Sequence, residues 1–429
     1  MAIDFSLLPP ACPVPDKAPS PLAWAAVFVV LMLSGIGFAL WSWPRNQQTH
    51  TPWFWCSVMV IPGCVVGAFV LRRFSLFYKL RNRAVSRNTL RNAYVNMVFG
   101  VASEPLAVLA SGYRVHAEDK ENTFDAIVTR SANPSTRPTM DSREMIIASC
   151  LDPAAAELAF NDFERQTVIL DWILRSFTPA ILDALSGVPA RLPIAVHLDI
   201  DSTVLSRDDI TAIWNQLSAL VLPGRLSSPP VIEPSGGLWM VDTMLDRTDP
   251  AQRDVVTLFL SANLNVIYAA DPQPDSTEAA CMMLLCPAAL ARKEKFRVRG
   301  WVHRPQEEAA APSEGALHYA LKWGGIRGSA IGGTVQTGFD ENTVGRMHLA
   351  LHAESKSRDG LSHFGLDALL GSTGATAPWL ATVLGMDLAT TSSSPYLIGV
   401  ESEGRVLLAV LTPTERVQKL EATGAVNNE

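Results

Sequence analysis

The chain has few charged residues, and they are not predominantly positive. Asp, Glu, Lys and Arg make up only 18% of its 429 residues, and the formal net charge is −7. A protein that binds nucleic acid normally presents a basic surface, so this balance argues against a nucleic-acid partner. Soluble domains usually contain about 25% charged residues, so the low fraction indicates that part of the chain lies in a membrane.

Short motifs that identify many catalytic and metal sites are also missing. The six cysteines form no CxxC pair and no metal-binding spacing, which favours reduced and buried thiols. The sequence contains no HExxH, GxxxxGK(S/T) or GxSxG pattern. We therefore expect a protein that is not an enzyme, with no cofactor, no bound metal and no small-molecule substrate.

Two long uncharged runs lie near the N-terminus. Pro21–Trp43 carries no charge over 23 residues, and Pro52–Leu71 carries none over 20. At about 1.5 Å per residue, each run can cross a hydrocarbon core as a helix. The runs predict a transmembrane hairpin over residues 21–71, preceded by a tail at residues 1–20.

Positive charge follows the second run directly, whereas the loop between the runs offers only Arg45. Because basic residues are retained on the cytoplasmic side, we expect a membrane protein with two spans and both termini in the cytoplasm. Residues 72–103 are predicted to form a basic linker or helix next to the membrane, in contact with anionic lipid. Its leading basic residues are Arg72, Arg73, Lys79, Arg81 and Arg83.

The rest of the chain alternates strand and helix signals, which predicts an α/β body with a mixed sheet. We divide it into a first subdomain at residues 104–308, a second at 309–414 and a polar tail at 415–429. The predicted strands are Leu106–Ala110, Ile194–Leu198, Val255–Leu260, Cys281–Leu285, Val298–His303, Ala316–Trp323, Met347–His352, Tyr396–Glu401 and Val406–Leu411. The predicted helices are Ala154–Phe177 with Asp152 as its cap, Ser206–Leu222, and Leu366–Leu384 with a break.

His348 and His352 are four residues apart, which would suit a metal ion bound on one face of a helix. The surrounding sequence, MHLALHA, alternates apolar and polar residues, and this favours a strand. We therefore expect a structural role for both histidines.

The segment Ile194–Leu205, IAVHLDIDSTVL, resembles the first motif of the haloacid-dehalogenase phosphatase superfamily. The resemblance implies that Asp199 is a nucleophile and Asp201 a general acid, with magnesium between them and the phosphate. Ser261, after the strand VVTLFL, could supply the second motif, but a downstream acidic pair is not evident. The same residues fit a polar strand exit in which Asp199, Asp201 and Ser202 satisfy turn and cap amides. We favour that interpretation and keep a membrane-bound phosphatase as the alternative.

The layout of the whole chain resembles the family of type VI secretion lipase adaptors. The similar features are the two-helix anchor, the Arg-rich exit RRFSLFYKLRNR and the strand opening near EPLAVLASGYRVH. The resemblance implies a non-enzymatic adaptor at the bacterial inner membrane that binds a toxic phospholipase effector in the cytoplasm and delivers it to the secretion spike. Trp239 and Trp323 are the predicted partner contacts, because exposed aromatic residues are enriched in interface hot spots. The alternative for each of them is a place in the core.

Two segments resemble parts of the thiolase and ketosynthase fold. They are ADPQPDSTEAACMMLLCPAALARKEKFRVRGWVHRP and the closing hairpin GVESEGRVLLAVLTP. The sequence departs from that fold where its chemistry would lie, since no cysteine sits in a glycine turn and no matching pair of histidines is evident. The resemblance implies a thiolase-like body that serves as a protein-binding surface instead of an enzyme.

Overall fold

The structure, a computed structural model, describes residues 10–44, 48–131, 135–141, 144–226, 228–246, 254–309, 314–355, 361–402 and 404–414. The polar tail predicted at residues 415–429 lies outside these ranges. The chain forms two compact units, an N-terminal unit at Asp4–Phe99 and a body at Gly100–Glu429.

The N-terminal unit is helical. Its helices are α1 (Pro21–Ser42), α2 (Pro52–Trp55) and α3 (Ile61–Ala102), and a π-helical turn at Cys56–Val60 joins the last two. Two helical segments, Pro21–Ser42 and Pro52–Gly100, are long and apolar enough to cross a membrane by length and composition. The predicted second span and the predicted basic linker belong to one continuous helix.

The π-helical turn ends at Val60, two residues before Pro62. In it the N–H of Ile61 donates to the carbonyl of Cys56, five residues earlier. Proline has no N–H to donate, and its ring clashes with the carbonyl four residues before it in a regular α-helix. A wider turn relieves that clash, so the distortion of the helix before Pro62 takes the form of a π-bulge.

The body contains fourteen strands within the described residues, and eleven of them form one mixed sheet. In chain order the strands are β1 (Leu106–Arg114), β2 (Thr136–Pro138), β3 (Met145–Ser149), β4 (Ile194–Asp201), β5 (Val231–Ile232), β6 (Val256–Asn263), β7 (Ser276–Thr277), β8 (Ala279–Pro287), β9 (Gly300–Val302), β10 (Gln306–Ala309), β11 (Gly333–Thr337), β12 (Ser362–Gly365), β13 (Tyr396–Ser402) and β14 (Arg405–Pro413). The short strands β2, β3 and β7 form a separate small sheet.

The helices of the body cover the large sheet. They are α4 (Phe124–Ser131), α5 (Asp162–Ser186), α6 (Arg207–Val221), α7 (Trp239–Leu245), α8 (Ala288–Glu294), α9 (Glu314–Trp323), α10 (Glu341–Ser355), α11 (Leu366–Leu370) and α12 (Ala377–Ser392).

The two halves of the large sheet repeat one topology. The strand order is β5-β4-β6-β8-β1 in the first half and β12-β11-β13-β14-β9 in the second. Each half has five strands, which can be counted from first to fifth in the order in which the chain forms them. Across the sheet, both halves then have the order third, second, fourth, fifth, first. In both halves the third, second and fourth strands are parallel, and the fifth is antiparallel to its two neighbours. The predicted two-part mixed-sheet architecture is therefore confirmed.

Strands β1 and β9 join the halves by pairing Leu106–Val108 with Gly300–Val302. Strands β9 and β10 both begin before residue 309 but pair with β14 of the second half. In the strand order they belong with the second half, although residue 309 was the predicted start of the second subdomain.

Helix α12 lies at the centre of the body. Its buried face includes Trp379, Leu380, Val383 and Leu384, and it contacts strands of both halves. A helix that is apolar on all sides belongs in a protein interior, which explains why this segment shows no amphipathic pattern. Helices α5 and α6 cover the outer face of the first half, and α9 and α10 cover that of the second.

Two predicted strands are wrong. Ala316–Trp323 and Met347–His352 lie in helices α9 and α10. In α10 the buried residues Met347, Ala350 and Leu351 follow the helical spacing of three and four, and they pack in one apolar cluster. Over only seven residues, apolar residues at helical spacing also seem to alternate with polar ones, so a segment this short does not distinguish a helix from a strand.

The predicted helix start at Ala154 is also wrong. Helix α5 begins at Asp162, because the side chain of Asn161 accepts a hydrogen bond from the N–H of Glu164 and caps it. Asp152, the predicted cap, instead lies 3.2 Å from Arg165 in an ion pair. In contrast, the predicted helix Ser206–Leu222 is confirmed with a capping box formed by Ser206 and Asp209.

Candidate functional site

A cleft of about 640 Å³ opens in the body where loops of the two halves meet. Its walls are the loop before α7, the ends of β11 and β13, and the turn between α11 and α12. Strand β4 ends at this cleft and lies between two parallel neighbours, β5 and β6. Loops leave the carboxyl ends of such strands in opposite directions, which opens a crevice there and makes this the candidate site.

Asp199, near the end of β4, holds the loop before α7 in place. Its Oδ2 accepts hydrogen bonds from the N–H of Ser235 at 3.1 Å and from the Ser235 hydroxyl at 2.6 Å. The side chain is 5% exposed. Burial raises the pKa of this carboxyl, and the two hydrogen bonds from Ser235 partly oppose that rise.

The hydroxyl of Ser235 uses its full hydrogen-bonding capacity. It donates to Asp199 and accepts from the indole Nε1 of Trp379 at 2.8 Å and from the N–H of Gly237 at 3.2 Å. A hydroxyl has one donor hydrogen and two acceptor lone pairs, so none remains for an attacking role. Ser235 thus connects β4, the loop before α7 and the central helix α12.

Two consecutive glycines shape the same loop. Gly236 and Gly237 have φ values of +65° and +61°, which L-residues with a side chain rarely adopt. A Cβ on Gly237 would also lie 3.0 Å from Cγ of Pro378. The sequence PSGG therefore allows the chain to turn tightly against the start of α12.

Asp367 performs a related task on the opposite wall. Its carboxylate accepts hydrogen bonds from the N–H of Gly338 at 2.6 Å and from the hydroxyl of Thr337 at 3.0 Å. It thereby fixes the end of β11. Ser235 and Asp367 both line the cleft and were not predicted as site residues. The PSGG turn was the available signal for Ser235.

The residues predicted for the phosphatase alternative lie near one another, but Asp199 and Ser261 form hydrogen bonds with residues outside that set. Asp201 is exposed, two residues beyond Asp199 on the same face of β4. Ser261 is the register partner of Asp199 on β6, yet its hydroxyl lies 3.0 Å from the hydroxyl of Thr376. Ser202 occupies a turn, as expected, where its hydroxyl accepts from the N–H groups of Val204 and Leu205. Within the described ranges no three His, Cys, Asp or Glu side chains converge as a metal site.

Burial keeps the thiols of the body protonated. It raises the pKa of the Cys281 thiol far above its usual range, that of Cys286 to about 12 and that of Cys150 to about 11. A protonated thiol is a poor nucleophile at neutral pH. The expectation of reduced, buried thiols is confirmed for Cys281 and Cys286.

The two tryptophans predicted as partner contacts occupy different environments. Trp323 is 2% exposed, and its indole Nε1 donates to Oε1 of Gln306 at 3.2 Å. Its prediction as an exposed contact is therefore wrong, because the ring is packed inside the body. Trp239 begins α7 and lies half-buried on the wall of the cleft, and its contact role stays a prediction.

The basic residues predicted to contact lipid lie on α3, outside this cleft. All five side chains are exposed, and their contact with lipid stays a prediction: Arg72, Arg73, Lys79, Arg81 and Arg83.

No protein-family model and no curated protein matches the chain. Among solved structures, the ketosynthase from module 1 of the bacillaene synthase of Bacillus amyloliquefaciens FZB42 is 12% identical, with a TM-score of 0.51; the match covers 72% of this chain and 76% of that one. Ketosynthase twelve of the bacillaene polyketide synthase of Bacillus amyloliquefaciens is also 12% identical, with a TM-score of 0.50 and coverage of 72% and 73%. The peroxisomal 3-ketoacyl-CoA thiolase of Saccharomyces cerevisiae has a TM-score of 0.43 at 12% identity, with coverage of 72% and 98%. At this level of identity the similarity identifies the fold alone: the body has a thiolase/ketosynthase-like fold.

Proposed function

We propose that this protein is a membrane-anchored, non-enzymatic adaptor of a type VI secretion system. It binds a lipase effector in the cytoplasm and loads it onto the secretion spike. The two apolar helices hold it at the inner membrane with both termini in the cytoplasm. Membrane attachment raises the local concentration of the adaptor near the secretion machinery without requiring any additional contact.

The observation that carries this proposal is that the polar side chains of the cleft form hydrogen bonds to the body's own loops and central helix. Proteins of this fold that are similar to the chain are ketosynthases and a thiolase, which are enzymes. In this chain the Ser235 hydroxyl has every hydrogen-bonding position occupied, and Asp199 and Asp367 hold loops. These side chains stabilise the walls of the cleft, which favours a binding scaffold over a catalytic centre.

The alternative is a membrane-bound phosphatase in which Asp199 attacks a phosphate and Asp201 acts as the acid. The pairing of Asp199 with Ser261 on neighbouring strands favours this alternative. The hydrogen bonds that Asp199 accepts from Ser235, and its burial, oppose it, since a nucleophilic carboxylate needs an oxygen open to the substrate. We therefore keep the adaptor as the proposal.

The test uses the full chain, purified in detergent and mixed with the lipase effector of the same secretion system. We expect one complex in size-exclusion chromatography and loss of effector export when the gene is deleted. Re-expression of the full chain should restore export. Normal export in the deletion strain, together with no complex in chromatography, would contradict the adaptor function.

A further inference from the structure

An apolar patch lies on the surface of the body around the start of α5. Leu158 is 79% exposed and Phe160 is 88% exposed, and Phe163 and Tyr268 are both about half exposed. We call these four residues the Phe160 patch. The hydroxyl of Tyr268 donates to the carbonyl of Ala159 at 3.0 Å, so the side chains of two separate segments meet there.

The backbone under the Phe160 patch is held firmly. Asp162 is buried, and its carboxylate accepts hydrogen bonds from the N–H groups of Ile267, Tyr268 and Ala269 at 2.7 to 3.1 Å. The side chain of Glu164 accepts from the N–H of Phe160 at 3.1 Å. The patch is therefore displayed on an ordered scaffold, which lowers the entropy lost when a partner binds.

The exposed rings and the leucine present an apolar area on the order of 400 Å², which is in the range of patches that mark interaction sites. The charged side chains on the two chain segments that carry the patch, residues 144–164 and 265–275, are all carboxylates. Exposed carboxylates at Glu157, Glu164 and Asp271 lie on the same segments. Residues 144–164 and 265–275 contain no lysine or arginine.

We propose that the Phe160 patch is the docking surface for a protein partner whose complementary face is apolar at its centre and basic at its rim. This inference rests on the proposed adaptor function, and it assigns the effector as the partner. An apolar centre with a polar rim is the usual anatomy of a specific interface.

The acidic rim argues against two other occupants. The cytoplasmic leaflet is anionic, so it repels carboxylates and attracts basic segments. In a symmetric dimer the same patch faces itself, which would bring the carboxylates of both copies together. A basic protein surface gains from the same charges, because electrostatic complementarity speeds association and fixes orientation.

The chain offers a matched control for a mutational test. Leu349, on α10, is 73% exposed, close to the exposure of Leu158. The full chain in detergent is titrated with the purified lipase effector, using Leu158→Ala, Phe160→Ala, the double variant and Leu349→Ala. The three substituted positions are all exposed, so the melting temperatures of the four variants should match that of the unmodified chain.

We expect the double variant to weaken binding by about 30-fold or more, as for a hot spot, and Leu349→Ala to leave it unchanged. Glu157→Lys should slow association several-fold, and higher salt should slow association of the unmodified chain in the same way.

Three results would overturn the inference. If the unmodified chain and the double variant bind the effector equally, the adaptor function stands and the Phe160 patch is not its surface. If the unmodified chain binds no effector, the proposed function fails and the assigned partner fails with it. If sedimentation shows a dimer of the unmodified chain that the double variant abolishes, the patch binds a second copy.

Discussion

Arg165 and Glu278 form a bidentate ion pair inside the body, with Nη1 2.8 Å from Oε1 and Nη2 2.7 Å from Oε2. The side chains are 1% and 0% exposed. The Glu278 carboxylate also accepts hydrogen bonds from the N–H groups of Leu151 at 2.7 Å and Asn265 at 2.8 Å. One buried pair thus connects α5 with the chain at Leu151 and at Asn265, which precede the two segments that carry the Phe160 patch.

Removing one charge of this pair should strongly destabilise the body. In Glu278→Gln the guanidinium of Arg165 stays buried and keeps only the half-exposed Asp152 as a counter-charge, and we expect a loss of about 3 kcal/mol. The measurement is denaturant unfolding of the full chain in detergent. The control is Asp171→Asn, which breaks an exposed pair with Arg175 in the same helix and should have little effect. Equal losses in the two variants would contradict the prediction.

Glycine substitutions in the body should have opposite signs at two positions. Gly236 has a φ of +65°, so Gly236→Ala forces an alanine into the left-handed region and should cost about 1–2 kcal/mol. Gly345 lies within α10, and no neighbouring side chain lies within 4 Å of the position that a Cβ would take, so Gly345→Ala should stabilise the protein by about 0.5–1 kcal/mol. Thermal unfolding of both variants beside the unmodified chain measures the two shifts. Two shifts of the same sign would show that backbone conformation does not decide these positions.

The sequence predicts the class of fold and many of its elements. The strand at Leu106, the capped helix after Ser206 and the closing hairpin at the C-terminus are all present. These elements have strong local signals: apolar runs bounded by polar turns, and a serine followed three residues later by an aspartate. The central helix α12 was placed only approximately, because its burial on every side removes the polar stripe that would mark its limits.

The sequence predicts strand β4, which carries Asp199, but not the contacts that Asp199 makes in the cleft. Asp199 is visible in the sequence, but its partner Ser235 is 36 residues away and reaches it only through the order of β4 and β5 in the sheet. Trp379 is a further 144 residues from Ser235. Local spacing holds no information about contacts of this range, so neither the hydroxyl nor the indole could be assigned to the site.

His303 should make the body sensitive to mild acid. The imidazole is buried, and burial lowers its pKa from 6.5 to about 4. Since the folded chain binds this proton more weakly than the unfolded chain, the stability contribution is complete above pH 6.5 and is lost as pH falls towards 4. The total loss is about 3 kcal/mol.

Unfolding measured between pH 7 and pH 4.5 tests this dependence. His303→Gln removes the titrating group and retains a side chain able to hydrogen-bond the hydroxyl of Thr412, which lies 2.9 Å from Nε2. The variant should therefore show a shallower loss of stability on acidification. An unchanged slope would mean that other groups cause the acid sensitivity.

Reporter fusions should determine the orientation of the anchor. A reporter that is active only outside the cytoplasm should be active at Gln47 and inactive at Ser103 and Glu429. The reason is that seven basic residues follow the second apolar run before residue 92, whereas one lies between the runs. As a control, a reporter active only inside the cytoplasm should give the reverse pattern. An active external reporter at Glu429 would contradict both the orientation and a cytoplasmic partner.

Neutralising Asp199 separates the adaptor from the phosphatase alternative. Because burial raises the pKa of this carboxyl, the folded chain holds the proton more tightly than the unfolded chain does. The corresponding stability is present below the usual pKa of 3.8 and is lost as pH rises, so the charged form is a cost at pH 7. Asp199→Asn removes that cost, and its amide oxygen can still accept from Ser235.

We therefore expect Asp199→Asn to be as stable at pH 7 as the unmodified chain, or slightly more stable, and to support normal effector export. Asp199→Ala is the control, because it leaves the N–H and hydroxyl of Ser235 without their acceptor and should cost about 1–3 kcal/mol. A phosphatase would behave differently, since an amide cannot replace a nucleophilic carboxylate. Magnesium-dependent hydrolysis of a phosphate ester by the full chain, abolished in Asp199→Asn, would reverse our choice between the two functions.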